Sequence, residues 1–227
     1  MFLSRHLPLI NHKVKVNDTE ICATESINVL GIELDTNLNF NIHIDNVWNQ
    51  KSKQINALKR IKLNLDKSRK TTICNSCISS NLNYYQIAWM FSSKSYFEKL
   101  EKTNKRALKL VSNNNDMSYE SICEYEKQLN IQKRCIKQVA IQMFKMKTGP
   151  RYLQSLFTSR EFNYDMRDNN RFNIPNYATT SDGKKSFRYY CAKSWSLIPI
   201  EIKNLENLKS FKSAVNKGTF LIFLPGY

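Results

Sequence analysis

The chain has 227 residues, of which 41% are hydrophobic, and it contains only five glycines and five prolines. This composition excludes disorder throughout and predicts one or two domains with a hydrophobic core. The formal net charge is +16, and residues 43–115 alone carry 14 basic and 4 acidic side chains. Such a concentration of positive charge favours a polyanionic partner, with nucleic acid first, an anionic membrane surface second, and an ordinary solvated lysine-rich surface as the alternative.

Cysteine usage and the chain ends predict an intracellular protein, nuclear or cytoplasmic, that is not secreted. The six cysteines are scattered, and we expect free thiols. Arg5, His6 and Pro8 interrupt the apolar start, so no leader is predicted. The longest apolar run, residues 220–224, is too short to span a bilayer, and we expect no membrane partner.

The first half of the chain predicts short strands followed by three helices. Alternation and β-branched residues between 10 and 34 indicate strands, and apolar residues at helical spacing predict an amphipathic helix over 43–62. Asp66 is the predicted N-cap of a second helix that ends near Trp89. The apolar face expected for this helix comprises Ile73, Cys77, Tyr84, Tyr85 and Ala88.

The second half predicts further helices around one irregular excursion. A third helix is expected from about Tyr96 to Val111, and the asparagine-rich run that follows it marks a domain boundary. A short helix over 118–128, capped by Asp116 or Ser118, precedes a long one that Gly149-Pro150 ends. Residues 158–182 predict an irregular excursion, 186–197 a return to the core, and 205–217 a last helix.

Two clusters of basic residues are candidates for contacts with phosphates. The first is a stripe on the third helix at positions i, i+3, i+7 and i+10, formed by Lys99, Lys102, Arg106 and Lys109. The alternative is a solvated face supported by Glu98–Lys102 and Glu101–Lys105 pairs. The second cluster lies across the first interhelical turn and consists of Lys59, Arg60, Lys62, Lys67, Arg69 and Lys70.

Metal-binding and catalytic motifs are weak or missing in this sequence. Cys74 and Cys77 have the spacing of metal ligands, but no further cysteine or histidine follows closely, so two buried helical cysteines are favoured. Aromatic residues between 187 and 195 alternate with basic ones, which suits stacking on single-stranded RNA, although core packing is favoured. The chain contains no Asp-Asp dipeptide of the kind that two-metal polymerases use.

Several fragments, in order, resemble one protein family. The stretch Ile27-Asn28-Val29-Leu30-Gly31-Ile32-Glu33-Leu34-Asp35 is followed by Lys99-Leu100-Glu101, Gly149-Pro150-Arg151-Tyr152-Leu153, Ala192-Lys193-Ser194-Trp195 and Ser210-Phe211-Lys212. This ordered series, from about residue 27 to 212, resembles the non-LTR (LINE, jockey-like) retrotransposon reverse transcriptases, from the end of the palm through the thumb.

The resemblance implies a mainly α (α+β) fold. It divides the chain into a palm-derived β remnant (1–42), a thumb-like three-helix bundle (43–114) and a C-terminal helical region (115–227). Val29, Leu30 and Gly31 then resemble the primer-grip hairpin, where a glycine lets the backbone approach the primer. The alternative is an ordinary turn glycine, which the residues taken by themselves favour.

The function that the resemblance implies is contact with the backbones of RNA template and DNA primer, beside upstream polymerase domains. The catalytic aspartates of the family lie upstream of this stretch, so the chain is expected to be a non-catalytic fragment with no cofactor of its own and no small-molecule substrate. Magnesium would belong to the palm. The alternative is a decayed, truncated element whose product is a small basic interaction module or has no function, and an enzyme with an unfamiliar site is the third class.

Overall fold

The computed structural model describes residues 13–22, 24–114, 116–154, 172–176 and 186–217. The described chain is mainly helical, with two small antiparallel two-stranded sheets near its start. The expectation of a mainly α protein that begins with short strands is therefore confirmed. The chain divides into two compact units, which comprise Met1–Tyr84 with Ser92–Glu126, and Tyr85–Phe91 with Lys127–Tyr227.

The first sheet is a hairpin of β1 (Lys13–Val16) and β2 (Thr19–Cys22), and all eight of its strand residues are exposed. The second is a hairpin of β3 (Ser26–Val29) and β4 (Ile32–Asp35). Only the second hairpin contributes to the core, since Ile32 is buried while the side chains of the first remain at the surface.

The carboxylate of Asp35 connects the second hairpin to the first helix. It is buried, and it accepts backbone hydrogen bonds from Asn37, Asn39 and Phe40, the last at 2.8 Å. These bonds fold the loop that leads into α1 (Asn41–Ile61), which begins two residues before the predicted start. The buried Asp35 side chain therefore stabilises the connection between β4 and α1, because it satisfies three backbone donors in the loop between them.

The second predicted helix is interrupted. A short 3-10 turn (Lys62–Asn64) leads to α2 (Lys67–Ile73), then a π-helical segment (Cys74–Ser79), α3 (Ser80–Leu82) and, beyond Tyr85 in left-handed conformation, α4 (Gln86–Trp89). The predicted apolar face is wrong: the exposed residues include Cys77, Tyr84 and Tyr85, and the buried ones are Cys74, Ile78, Leu82 and Trp89.

The longest helix after α1 is α5 (Lys94–Ser112), which begins and ends within two residues of the predicted bounds and buries Leu100, Ala107, Leu108 and Val111. It packs against α1, α2 and α6 (Tyr119–Tyr125). The side chain of Ser118 caps α6 by accepting from the backbone N–H of Ser121, which confirms one of the two predicted caps.

The second unit is built around α7 (Ile131–Thr148), which is followed by α8 (Arg151–Gln154), α9 (Phe187–Ser196), α10 (Ile200–Lys203) and α11 (Leu208–Lys217). Helices α4, α9 and α11 pack on α7. Stacked aromatic rings lie in this core: the ring centroids of Phe144 and Phe211 are 4.3 Å apart, and those of Trp195 and Phe211 are 6.2 Å apart.

The division into units differs from the predicted one at two places. Helix α6 packs on α5 and belongs to the first unit, so the predicted boundary at residue 114 falls inside that unit. Residues 85–91 belong to the second unit, although they lie within the range predicted for the thumb-like bundle. Most of the predicted excursion over 158–182, and the apolar run over 220–224, lie outside the described residues.

Candidate nucleic-acid interface

The basic stripe on α5 lies along α1, and two of its members are engaged there. Lys99 Nζ donates to Asp45 Oδ1 at 2.7 Å and lies 4.2 Å from the ring centroid of Tyr96. The hydrogen bond to Asp45 raises the pKa of Lys99. Arg106 Nη2 donates to Asn56 Oδ1 at 3.3 Å. Asp45 and Asn56 on α1 therefore connect α1 to α5 through Lys99 and Arg106. Within the stripe, Lys102 and Arg106 are the exposed residues.

The second basic cluster is also partly compensated. Lys67 Nζ lies 3.0 Å from a carboxylate oxygen of Glu126 and 4.5 Å from the ring centroid of Tyr125. The hydrogen bond to Glu126 raises the pKa of Lys67. Arg69 lies 3.6 Å from Asp66, whose side chain caps α2 as predicted. Lys67 and Arg69 thus support the local structure, while Lys59 and Arg60 are exposed at the end of α1.

Three lysines from both predicted clusters meet at one cleft of about 300 Å³, which we call the lysine cleft. They come from the 3-10 turn after α1, from α2 and from the last turn of α5, so they lie on three different elements. The described residues that line the cleft include no carboxylate, and they are Lys62, Leu63, Leu65, Lys70, Lys109, Leu110 and Asn113. The fold therefore converges three positive charges on one concave surface.

Lys70 is the central residue of the lysine cleft because its side chain is only 4% exposed. Its ammonium donates to Asn113 Oδ1 at 2.9 Å. Across the described part of the chain, this amide oxygen is its single hydrogen-bond acceptor, and no carboxylate lies within ion-pair distance. Lysine carries three donors and is seldom buried without partners that satisfy its charge.

Lys51 shows how a buried lysine is satisfied elsewhere in the same unit. Its side chain is 1% exposed, and its ammonium donates to Gln54 Oε1 at 3.0 Å and to the backbone oxygen of Cys77 at 2.9 Å. Burial lowers the pKa of Lys51. Lys51 thus has two acceptors and lines neither described cleft, whereas Lys70 has one acceptor and lines a cleft.

The glycine that resembles a primer grip lies in a two-residue hairpin turn. Leu30 and Gly31 both have positive φ, at 52° and 83°, as a type I′ turn requires. Tyr84 Oη donates to Leu30 O at 2.7 Å, and the Gly31 N–H donates to Asn28 Oδ1 at 3.0 Å. Gly31 is therefore a turn glycine, and contact with a primer at Val29–Gly31 stays a prediction.

A second cleft of about 380 Å³ lies beside this turn and is lined mainly by polar residues, among them Glu33, His43, Asn46, Asn81 and Tyr84. Burial lowers the pKa of His43, with the charge of Glu33 opposing the shift. His43 is therefore neutral at pH 7, and this cleft lacks the positive charge that phosphate requires.

Cysteines and aromatic residues form no further site in the described structure. Cys74 is buried, but Cys77 is exposed, so the prediction of two buried cysteines is wrong for Cys77. The described residues contain no group of three potential metal ligands. Tyr190 and Trp195 are buried in the second unit, as the core interpretation predicts.

Sequence reasoning missed the convergence at the lysine cleft. It placed Lys62 and Lys70 in one cluster and Lys109 in another, because 39 or more residues separate them along the chain. Asn113 is the residue that could have indicated this meeting. Asparagine favours the left-handed C-cap of a helix, and in this position the Asn113 amide oxygen accepts from Lys70.

In the described part of the chain, no helix combines the length and apolar character needed to cross a bilayer. Comparison of the chain with protein-family models, with curated proteins and with solved structures gives no match.

Proposed function

We propose that the first unit binds the sugar-phosphate backbone of nucleic acid through the lysine cleft and the basic surface around it. The chain would act as a non-catalytic part of a non-LTR retrotransposon reverse transcriptase that holds template RNA and primer DNA. The binding half of this proposal rests on the arrangement of lysines. The assignment to the polymerase rests on the ordered resemblance between residues 27 and 212 alone.

The observation that carries the binding proposal is that Lys70, a residue only 4% exposed, lines the cleft and has a single amide acceptor for its ammonium. Removing a charge from water costs several kcal/mol unless a counter-charge or further hydrogen bonds offset it. Lys62 and Lys109 add positive charge at the same cleft, which raises that cost. A phosphate oxygen in the cleft would supply the missing acceptor and the missing negative charge.

The chemistry of these side chains predicts affinity without sequence readout. Lysine ammoniums are point charges that contact phosphate oxygens and carry no base information. Lys59 and Arg60 are exposed at the end of α1, just before Lys62, and Lys102 is exposed on α5, which also carries Lys109. These residues extend the positive surface beyond the cleft. Binding should therefore depend on salt, because each neutralised phosphate releases condensed counterions.

The test is fluorescence anisotropy of a labelled RNA–DNA hybrid with the full chain, titrated at several salt concentrations. We expect log affinity to fall linearly with log salt. The Lys62→Gln/Lys109→Gln double variant should shrink the slope by roughly two units, one for each lost contact. The matched control is Lys53→Gln/Lys94→Gln, which removes two exposed lysines of the first unit that do not line the cleft.

If the slope of log affinity against log salt shrank equally in both double variants, binding at the lysine cleft would be contradicted. Binding by a diffuse positive surface would then be the explanation. Absence of binding at low salt, where basic contacts are strongest, would contradict the whole proposal. That second outcome would favour the alternative of a decayed element product.

A further inference from the structure

We infer that the lysine cleft recognises a terminal phosphate monoester in preference to an internal phosphodiester. This inference rests on the proposed function, since it names which phosphate of a nucleic acid the cleft takes. The proposed preference depends on the charge of the bound phosphate and on the number of its ester bonds.

The charge of the cleft favours a monoester. Three lysines, Lys62, Lys70 and Lys109, line the cleft, and its described lining contains no carboxylate. An internal phosphodiester brings one negative charge, whereas a monoester carries about 1.5 to 2 at neutral pH. Because Lys70 is buried, each added charge acts where water screens it less than at an open surface. The dianion is therefore the better match.

The number of hydrogen-bond donors in the cleft also favours a monoester. The Lys70 ammonium has three donors and uses one of them in its bond to Asn113 Oδ1. The amide nitrogen of Asn113 adds two donors, for which the described residues show no acceptor. A monoester has three non-bridging oxygens, and a diester has two. The extra oxygen matches a cleft that is rich in donors.

The apolar part of the lining suits the sugar beside a terminal phosphate. Leu63, which is 89% exposed, and Leu110 line the same cleft as the three lysines. The cleft of about 300 Å³ is large enough for a phosphate group.

The test compares two oligonucleotides of identical sequence, one with a 5′-phosphate and one with a 5′-hydroxyl, each labelled at its 3′ end. Fluorescence anisotropy with the full chain at pH 7.5 should show the phosphorylated form binding roughly tenfold more tightly, as expected for one added charge-assisted hydrogen bond. At pH 5 the preference should fall below about threefold, because the second phosphate pKa is about 6. The described lining of the cleft contains no histidine and no carboxylate.

Variants assign the preference to the cleft. Lys62→Gln and Lys109→Gln should each reduce the ratio between the two affinities, whereas Lys53→Gln and Lys94→Gln should keep it. Lys70→Met should abolish the ratio in a folded chain. Because that buried position also affects folding, the two partly exposed cleft lysines carry the conclusion on their own.

Further ligands distinguish the source of the phosphate. Inorganic phosphate and a 5′-mononucleotide should each abolish the preference for the 5′-phosphorylated oligonucleotide by competition. The salt-dependent binding of the 5′-hydroxyl oligonucleotide should remain. Equal affinities for the two oligonucleotides would overturn this inference and leave the proposed function standing. Binding to vesicles that contain phosphatidic acid, together with no binding to either oligonucleotide, would overturn both.

Discussion

Identical side chains have different roles in the first unit, and their partners decide which. Lys99 and Lys70 are both lysines on helices of this unit, but Lys99 has a carboxylate 2.7 Å away and Lys70 has only an amide oxygen. The partners Asp45 and Asn113 come from distant parts of the chain. Helical spacing could predict the stripe on α5, but it could not predict which of its charges are neutralised.

Neutralised and unneutralised lysines should respond differently to substitution. We expect Lys99→Gln to change the salt dependence of hybrid binding less than Lys62→Gln, because Asp45 already pairs with Lys99. Anisotropy across salt measures both slopes. Urea unfolding serves as the control for stability, and loss of this partly exposed pair should change the free energy of unfolding only slightly, because solvent screens the interaction. A larger slope change for Lys99→Gln than for Lys62→Gln would contradict this assignment.

His43 should make the stability of the first unit depend on pH. Burial lowers its pKa below the ordinary value of 6.5, so the unfolded chain binds a proton more readily than the folded one. The stability that neutral His43 provides is present above pH 6.5 and is lost as the pH falls through the lower folded value.

The measurement is urea unfolding at pH 7.5 and at pH 5.5, for the wild type and for His43→Asn. In the wild type, His43 Nδ1 accepts from the Glu33 N–H. Asparagine places an acceptor near the position of Nδ1, and its side chain does not titrate. The wild type should lose more stability on acidification than the variant. An equal loss in both proteins would assign the pH dependence to other groups.

At the scale of elements, periodicity predicted most helices but failed where the helical geometry changes. The ends of α1, α5 and α7 lie within a few residues of their predicted ends. The second helix failed because the π-helical segment over Cys74–Ser79 adds a residue to the turn and shifts the buried face to Cys74, Ile78 and Leu82. A regular period of 3.6 residues does not reveal such a segment.

The cap of α2 should matter for both stability and binding. Asp66 Oδ1 accepts from the backbone N–H of Arg69 at 2.7 Å, and α2 carries Lys70. Asp66→Ala should reduce the free energy of unfolding by about 0.5–2 kcal/mol and also weaken hybrid binding, because the helix that positions Lys70 frays.

Asp66→Asn is the matched control, because asparagine caps helices about as well as aspartate and removes only the charge. Urea unfolding and anisotropy on the same three proteins give both readouts. If Asp66→Asn destabilised the chain as much as Asp66→Ala, the ion pair with Arg69 rather than the cap would be responsible.

For the whole molecule, helical periodicity and the resemblance predicted a mainly α chain, composition indicated a polyanionic partner, and the structure adds where the positive charge is concentrated. Residues 43–115, which hold 14 basic and 4 acidic side chains, contribute α1, α2 and α5, the helices from which the lysine cleft is built. The cleft itself could not be predicted, because it depends on how the ends of three helices meet.

The whole chain should bind nucleic acids of unrelated sequence with similar affinity. Contacts from lysines to phosphates carry no base information, so we expect affinities for three hybrids of equal length and unrelated sequence to agree within about threefold. Anisotropy at one fixed salt concentration measures this. A difference above about a hundredfold would require base contacts that the lysine cleft does not provide.

NMR of lysine side-chain nitrogens shows whether a phosphate meets the ammonium of Lys70. We would titrate the labelled chain with a 5′-phosphorylated hybrid and follow the Nζ resonances. We expect saturable shifts at Lys62, Lys70 and Lys109, with much smaller changes at Lys53 and Lys94. Shifts spread evenly over the exposed lysines, with Lys70 unchanged, would contradict phosphate binding in the lysine cleft.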